Sequence, residues 1–301
     1  MGYLFILIGV LAGSIKGFCG KKTSSYVEES SDAMFVNGFR MVLCVVIGFL
    51  LLLAQNSLQL LAIDGTVLWI TLLSGITTSL FVVTWILAVK TGAYVMLDVF
   101  LMLGVAVPLG LCWIFFNETI RPIQLVGLAI LLAAVLIMCS YNNKIKTPLT
   151  KKGVLLLVVC GTVNGLTSFS QKLFVKLTVG SDIAVFNFYT YLFSALVLYV
   201  CYGIFSAKSR GSTGTVSHQP VKLRGIAGYI AVMSVCLFAN SYFLTKAAAY
   251  LNSAEIYPLQ NALALIFSAC MSSLFFKEKM TIRSVVGIVL AFVALLFINL
   301  L

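Results

Sequence analysis

The chain has 301 residues, 61% of them hydrophobic and only 10% charged, with a mean hydropathy of +1.09. A soluble domain is about 45–50% apolar and about 25% charged, so this composition excludes a water-soluble globular protein and points to one embedded in a bilayer. The net charge of +11 does not indicate a nucleic-acid partner, because the basic residues lie in short loops between apolar runs and form no patch interleaved with aromatics.

Apolar runs near the ~20 residues of a bilayer-spanning helix place ten spans, at roughly 2–22, 34–55, 66–89, 93–116, 122–141, 153–171, 183–206, 225–248, 254–276 and 282–300. The first is read as a membrane helix and not as a secretory leader, since no small-residue cleavage site follows Ile15 and Lys16 interrupts the run. Two connections are more than tight turns: the Ser/Glu-rich stretch from Lys21 to Asp32 and the Ser/Gly/Thr-rich stretch from Ala207 to Arg224. The second holds the sequence's single histidine, His218, which reads as a solvated loop residue with no second ligand at metal spacing. The eight cysteines all fall in apolar segments without a Cys-x-x-Cys and read as small packing residues. No metal and no cofactor is expected. One face of the bundle collects most of the loop lysines and arginines, while the other receives Arg121, Lys172 and Lys176, which puts the basic face in the cytoplasm and both termini outside.

The fourth span closes on Phe115-Phe116-Asn117-Glu118 before a helix containing Gly127, and the ninth closes on Phe275-Phe276-Lys277-Glu278 before one containing Gly287. Earlier in each half, Gly13, Gly17, Lys22, Asp32 and Asn37 match Gly161, Gly165, Lys172, Asp182 and Asn187. The chain is therefore read as two tandem units, 1–143 and 144–301, packed as one transport body. With an odd number of spans in each unit, the second copy enters the membrane from the opposite face, so the repeats are inverted. The expected fold is an all-α integral membrane protein, ten transmembrane helices in two inverted five-helix repeats around a central cavity.

This arrangement, with its aromatic pair and glutamate closing the fourth helix of each unit, Lys22 ending the first helix, Arg40 in the second and Pro258 early in the ninth, resembles the drug/metabolite transporter superfamily with two EamA-type domains. The resemblance implies a transporter with a cavity between two four-helix lobes and peripheral fifth and tenth helices. It implies no single substrate, because the superfamily moves amino acids, drugs, sugars, nucleotide sugars and phosphates. Two departures stand out. Asp98 occupies the place that corresponds to Pro258, and Ser14 and Thr162 stand where the related small multidrug-resistance proteins carry a membrane-embedded glutamate.

Ionisable groups inside a bilayer cost from ~2.5–3.5 kcal/mol at a helix centre and so need a reason to be there. Lys16, Arg40 and Asp98 all fall at about 8–9 Å below the cytoplasmic face, at ~1.5 Å per residue, and are expected to meet as one buried cluster of net positive charge. Lys246 and Glu255, near the outer helix ends, are expected to snorkel or to pair across the Asn252 turn. Trp85, Asn164, Gln171, Asn240, Tyr257 and Asn261 complete the expected substrate-binding set, with Tyr257 and Asn261 one helical turn apart beside Pro258. The function this predicts is secondary active transport of a small polar metabolite, leaning to an amino acid or small organic acid, by alternating access. Gly13, Gly17, Gly161 and Gly165 would provide close helix contacts. The expected partners are that small-molecule substrate, a coupling proton or ion and the lipid bilayer, with no nucleic acid; the expected location is a plasma membrane, specifically a bacterial inner membrane. The alternative is an exporter of cationic drugs or quaternary amines that neutralise Asp98. An enzyme is disfavoured because no Ser/His or metal dyad is present, and a sensor because no soluble signalling domain accompanies the spans.

Overall fold

A computed structural model describes residues 1–27, 29–90, 97, 100–102, 104–139, 151–178, 180–212, 225–276 and 282–299. Among these, ten α-helices follow one another: α1 (Gly2–Ser24), α2 (Ser30–Ala54), α3 (Gly65–Lys90), α4 (Ala106–Phe116), α5 (Pro122–Cys139), α6 (Lys151–Leu177), α7 (Ile183–Ser212), α8 (Ala227–Ala248), α9 (Ser253–Phe276) and α10 (Ile282–Asn299). Six of them, α1, α2, α3, α6, α7 and α8, are long and apolar enough to cross a membrane. Their outer surfaces are apolar as well as their cores, with Leu4, Leu7 and Leu11 exposed on α1 and Leu196, Val200 and Ile204 on α7. Such residues fit a hydrocarbon solvent.

Polar residues at the helix ends decide where each helix starts and stops. Glu29 and Asp32 form a capping box, with the Glu29 N–H donating to Asp32 Oδ2 at 3.1 Å, so α2 begins at Ser30, earlier than its apolar run suggests. The matching residue of the second half, Asp182, accepts the Ala184 N–H at 2.6 Å at the start of α7. Asn37 and Asn187 also match in role. Each amide donates one turn back, to Ala33 O at 2.8 Å and to Ile183 O at 3.0 Å. Asp64 caps α3 through the Val67 N–H at 3.0 Å. Asn117, in the left-handed region at φ 51°, terminates α4. Helix α6 continues past its expected end at 171 to Leu177, and Lys172, assigned from sequence to an outer loop, is instead a helical residue only 2% exposed. A charge ends a span only where water is its best partner, and here the protein supplies one.

The closest packing joins helices from opposite halves: α1 against α8, α2 against α7, α3 against α6 and α7, and α5 against α10. The halves therefore interleave and do not stand side by side as separate lobes. Exchanging the first five helices with the last five turns α1·α8 into α6·α3, α2·α8 into α7·α3, α1·α9 into α6·α4, α2·α3 into α7·α8 and α1·α3 into α6·α8, all of them packed pairs. The pairs α2·α7, α5·α10 and α4·α9 map onto themselves. Small residues allow the tightest approach. A Cβ on Gly161 would lie 3.0 Å from the carbonyl carbon of Phe100 and closer still to its oxygen, and one on Gly165 would lie 2.8 Å from Val107 Cβ. Gly13 differs from its counterpart Gly161, having the Asn240 amide nitrogen 3.0 Å away and no backbone.

Candidate functional site

Where α1, α3, α6, α7, α8 and α9 converge, with Leu101 beside them, they line a cavity of about 140 Å³. Helical spacing brings its polar wall together, since residues three or four apart share a face. Helix α6 presents Asn164, Ser168 and Gln171, α8 presents Asn240 and Ser241, and α9 presents Gln260 and Asn261. The opposite wall carries Ser14 and Lys16 of α1, with Thr78, Phe81 and Trp85 of α3. Five side-chain carboxamides thus share one cavity, each able both to donate and to accept.

Several of these groups are held in place from behind. Gln171 Nε2 donates to Ser241 Oγ at 3.2 Å, and Ser241 donates to Asn187 Oδ1 at 2.6 Å, a chain running from the cavity wall through α8 into α7. Asn240 Nδ2 donates to Gly9 O at 2.7 Å, while its oxygen has no donor among the described residues. Asn261 Nδ2 donates to Tyr257 O at 3.1 Å. Lys16 is half-buried, with Nζ 5.9 Å from the centre of the Phe81 ring, near the limit of a cation–π contact. Among the described residues no carboxylate pairs with it.

Lys16, Trp85, Asn164, Gln171, Asn240 and Asn261 line this cavity; Arg40 and Tyr257 do not. Arg40 is 3% exposed and within electrostatic range of Lys16, but its Nε has no hydrogen-bond partner among the described residues and its carbonyl accepts the Ser234 hydroxyl of α8 at 3.3 Å. Tyr257 is 2% exposed, and its hydroxyl donates to Ser168 O at 2.8 Å, so it braces α9 against α6 behind the wall. Asp98 lies outside the described residues, as does His218. Lys246 makes no ion pair with Glu255 among the described residues; its Nζ stands 5.3 Å from the Phe5 ring and 5.4 Å from the Tyr242 ring. Trp69 is 70% exposed and takes no part in the cavity.

A second charged cluster, which sequence reasoning missed, surrounds the glutamate of the Phe-Phe-x-Glu motif. Glu118 Oε1 lies 3.4 Å from Lys172 Nζ and 3.4 Å from Lys176 Nζ, both on α6. Its Oε2 accepts the Ser253 N–H at 2.9 Å and the Ser253 hydroxyl, at the start of α9. Lys172 Nζ also donates to Ala248 O at 3.0 Å, on the last residue of α8, and to Leu251 O at 2.6 Å, just beyond it. Anion at a helix N-terminus and cation at a helix C-terminus are both favourable placements. Burial pushes the Glu118 carboxyl up, but the Ser253 donors and then the two ammonium groups outweigh it and hold it below the usual carboxylate range. Phe115 and Phe116 pack at 5.9 and 6.2 Å from the Phe169 ring, so the aromatic half of the motif braces the same corner. The duplicated Lys22 and Glu278 were the available signal, since a cation and an anion repeated together in both halves suggest one shared role.

Residues 151–300 match the EamA-like transporter family. That match identifies a membrane-transporter domain of the drug/metabolite type in the second half of the chain, and members of this family are transporters and not enzymes. No curated protein matches the sequence. One solved crystal structure superposes with a TM-score of 0.72 at 15% identity, covering 99% of this chain and 97% of the other. At that identity the likeness shows the fold alone. Helices long and apolar enough to span, together with the family match, make this a multi-pass membrane protein.

Proposed function

Starting from the EamA-like transporter domain at residues 151–300, we propose that the whole chain is a secondary active transporter of a small polar metabolite. The observation that carries this reading is the cavity at the meeting point of six helices drawn from both halves, walled by carboxamides and one lysine. Inverted five-helix repeats are supported by the helix pairings that survive exchange of the halves, and by the matched roles of Asn37 and Asn187. Alternating access around a midplane site is the mechanism such repeats favour. With the halves interleaved, the motion divides helix groups and not the two repeats as blocks.

A volume of about 140 Å³ is below the roughly 300–1,000 Å³ of drug-sized pockets, which favours a metabolite over a drug. Lys16 favours an anionic group on the ligand, and the carboxamides suit its neutral polar remainder, so an amino acid or small organic acid is the leading class. Trp85 and Phe81 would suit the alternative, a quaternary amine, through cation–π contact, but among the described lining residues no carboxylate accompanies them. Coupling to a proton or ion, residence in a plasma membrane such as a bacterial inner membrane, and the orientation with both termini outside belong to the same proposal. A cysteine at Ser212 should resist an impermeant thiol reagent in intact cells; ready labelling there would reverse the orientation.

Thermal denaturation of the purified protein against a metabolite panel tests the site, because a ligand that binds the folded state raises its apparent stability. Small carboxylates should raise the midpoint, and Lys16→Gln should remove that rise. Stabilisation by quaternary amines alone would move the reading to the cationic alternative.

A further inference from the structure

The cluster around Glu118 draws the ends of four helices to one point. The carboxylate follows α4, its two lysine partners lie on α6, Ser253 opens α9, and Lys172 holds the carbonyls that close α8. Immediately inside it sits an apolar plug in which Ile6 and Val10 of α1 pack with Leu109 of α4, Ala247 and Ala248 of α8 and Tyr257 of α9. Val10 belongs to the cavity wall as well as to this plug, and Gln171 of the wall directly precedes Lys172 in sequence. Cluster, plug and cavity therefore lie in series. For the cavity to open at this end, at least one of α4, α6, α8 and α9 has to swing away from the others, and the bonds of Glu118 have to break.

We propose that Glu118 is a latch, which ties the ends of α4, α6, α8 and α9 across the floor of the cavity and sets how often this end of the protein opens. The latch rests on the transporter reading, since a protein that never opened would gain nothing from one. Its two ends are unequal at the level of sequence. The first half supplies Lys22 and the second Glu278 in the places of Lys172 and Glu118, but Tyr26 stands where Lys176 does and Ala93 where Ser253 does. At the Glu118 end the structure is closed, with Lys172, Lys176 and Ser253 all against the carboxylate. Ser253 and Lys176 are the Glu118 partners that the aligned positions do not repeat in sequence. Neither residue lines the cavity, and besides Glu118 Lys176 also stands 6.0 Å from the centre of the Phe116 ring.

Modification of a cysteine on the plug reads the opening directly and needs no substrate. Val10, 2% exposed, is replaced by cysteine in the full chain, and its reaction with N-ethylmaleimide in detergent is followed by peptide mass spectrometry. Glu118→Gln should speed modification at position 10 on the order of tenfold, the worth of a lost charged hydrogen bond, and Ser253→Ala by a smaller factor. Cys44, fully buried and donating to Ser234 O at 3.4 Å, should react no faster. An unchanged rate at position 10 in Glu118→Gln overturns the latch, as does an equal rise at Cys44, which would mean that the whole bundle had loosened. If Glu118→Gln does not fold, Ser253→Ala decides by the same two readings. Faster modification without transport of any metabolite would leave the latch in place and remove the transporter reading; transport with unchanged modification would do the reverse.

Discussion

A lysine that is 2% exposed needs partners for its charge, and Lys172 has an ion pair with Glu118 at 3.4 Å and hydrogen bonds to Ala248 O and Leu251 O. Removing one partner from a buried pair leaves the other charge uncompensated. Lys172→Met should therefore cost about 3–5 kcal/mol, measured as a lower midpoint in detergent denaturation, whereas Lys176→Met, at a side chain 41% exposed, should cost far less. Glu118 also gives a signed pH dependence. Its folded carboxyl is held below the unfolded value of about 4.3, so it contributes stability that is present above that value and lost as pH falls through the folded one. Stability from this group should stay flat from pH 7 to pH 5 and fall below about pH 4, and Glu118→Gln should abolish that acid limb. Lys172 was not recoverable from hydropathy because its charge coincides with the point where an apolar run looks finished. Asn164, Gln171 and Asn240 were recoverable, because a carboxamide within an apolar span has few places to go other than inward.

Helical periodicity gives the face on which a residue sits but not the neighbour that covers that face. That is why Lys16 of α1 borders the cavity while Arg40 of α2, within electrostatic range of it, does not. Tyr257 and Asn261 likewise lie one turn apart on α9, yet the larger side chain reaches past the wall to Ser168. The glycines divide in the same way. Gly161 lies against the backbone near Phe100, whereas a Cβ on Gly110 would meet nothing within 4 Å. Gly161→Ala should lower the denaturation midpoint by the equivalent of about 1–3 kcal/mol, as overpacking does, while Gly110→Ala should be neutral or slightly stabilising, since alanine is the better helix former. Equal effects of the two substitutions would show that the contact of α6 with the backbone at Phe100 is looser than this packing requires.

At the scale of the whole molecule, the recurrence of the Phe-Phe-x-Glu motif and of Lys22 as Lys172 was visible in the sequence, but the interleaving of the two halves was not. Nothing in a one-dimensional repeat says whether its copies stand apart or thread between one another, and side-by-side lobes were the simpler expectation. Interleaving makes the cavity a shared property: Lys16 comes from the first half and Asn164, Gln171, Asn240 and Asn261 from the second, so neither half encloses it alone. Transport by purified protein in liposomes tests that account most directly, using a panel of small carboxylates, zwitterionic amino acids and quaternary amines. The account predicts saturable movement of a carboxylate-bearing solute, with Lys16→Gln raising KM on the order of tenfold or more and leaving the fold intact. Movement of a quaternary amine that Lys16→Gln leaves unchanged, or movement of no solute in the panel, would contradict it.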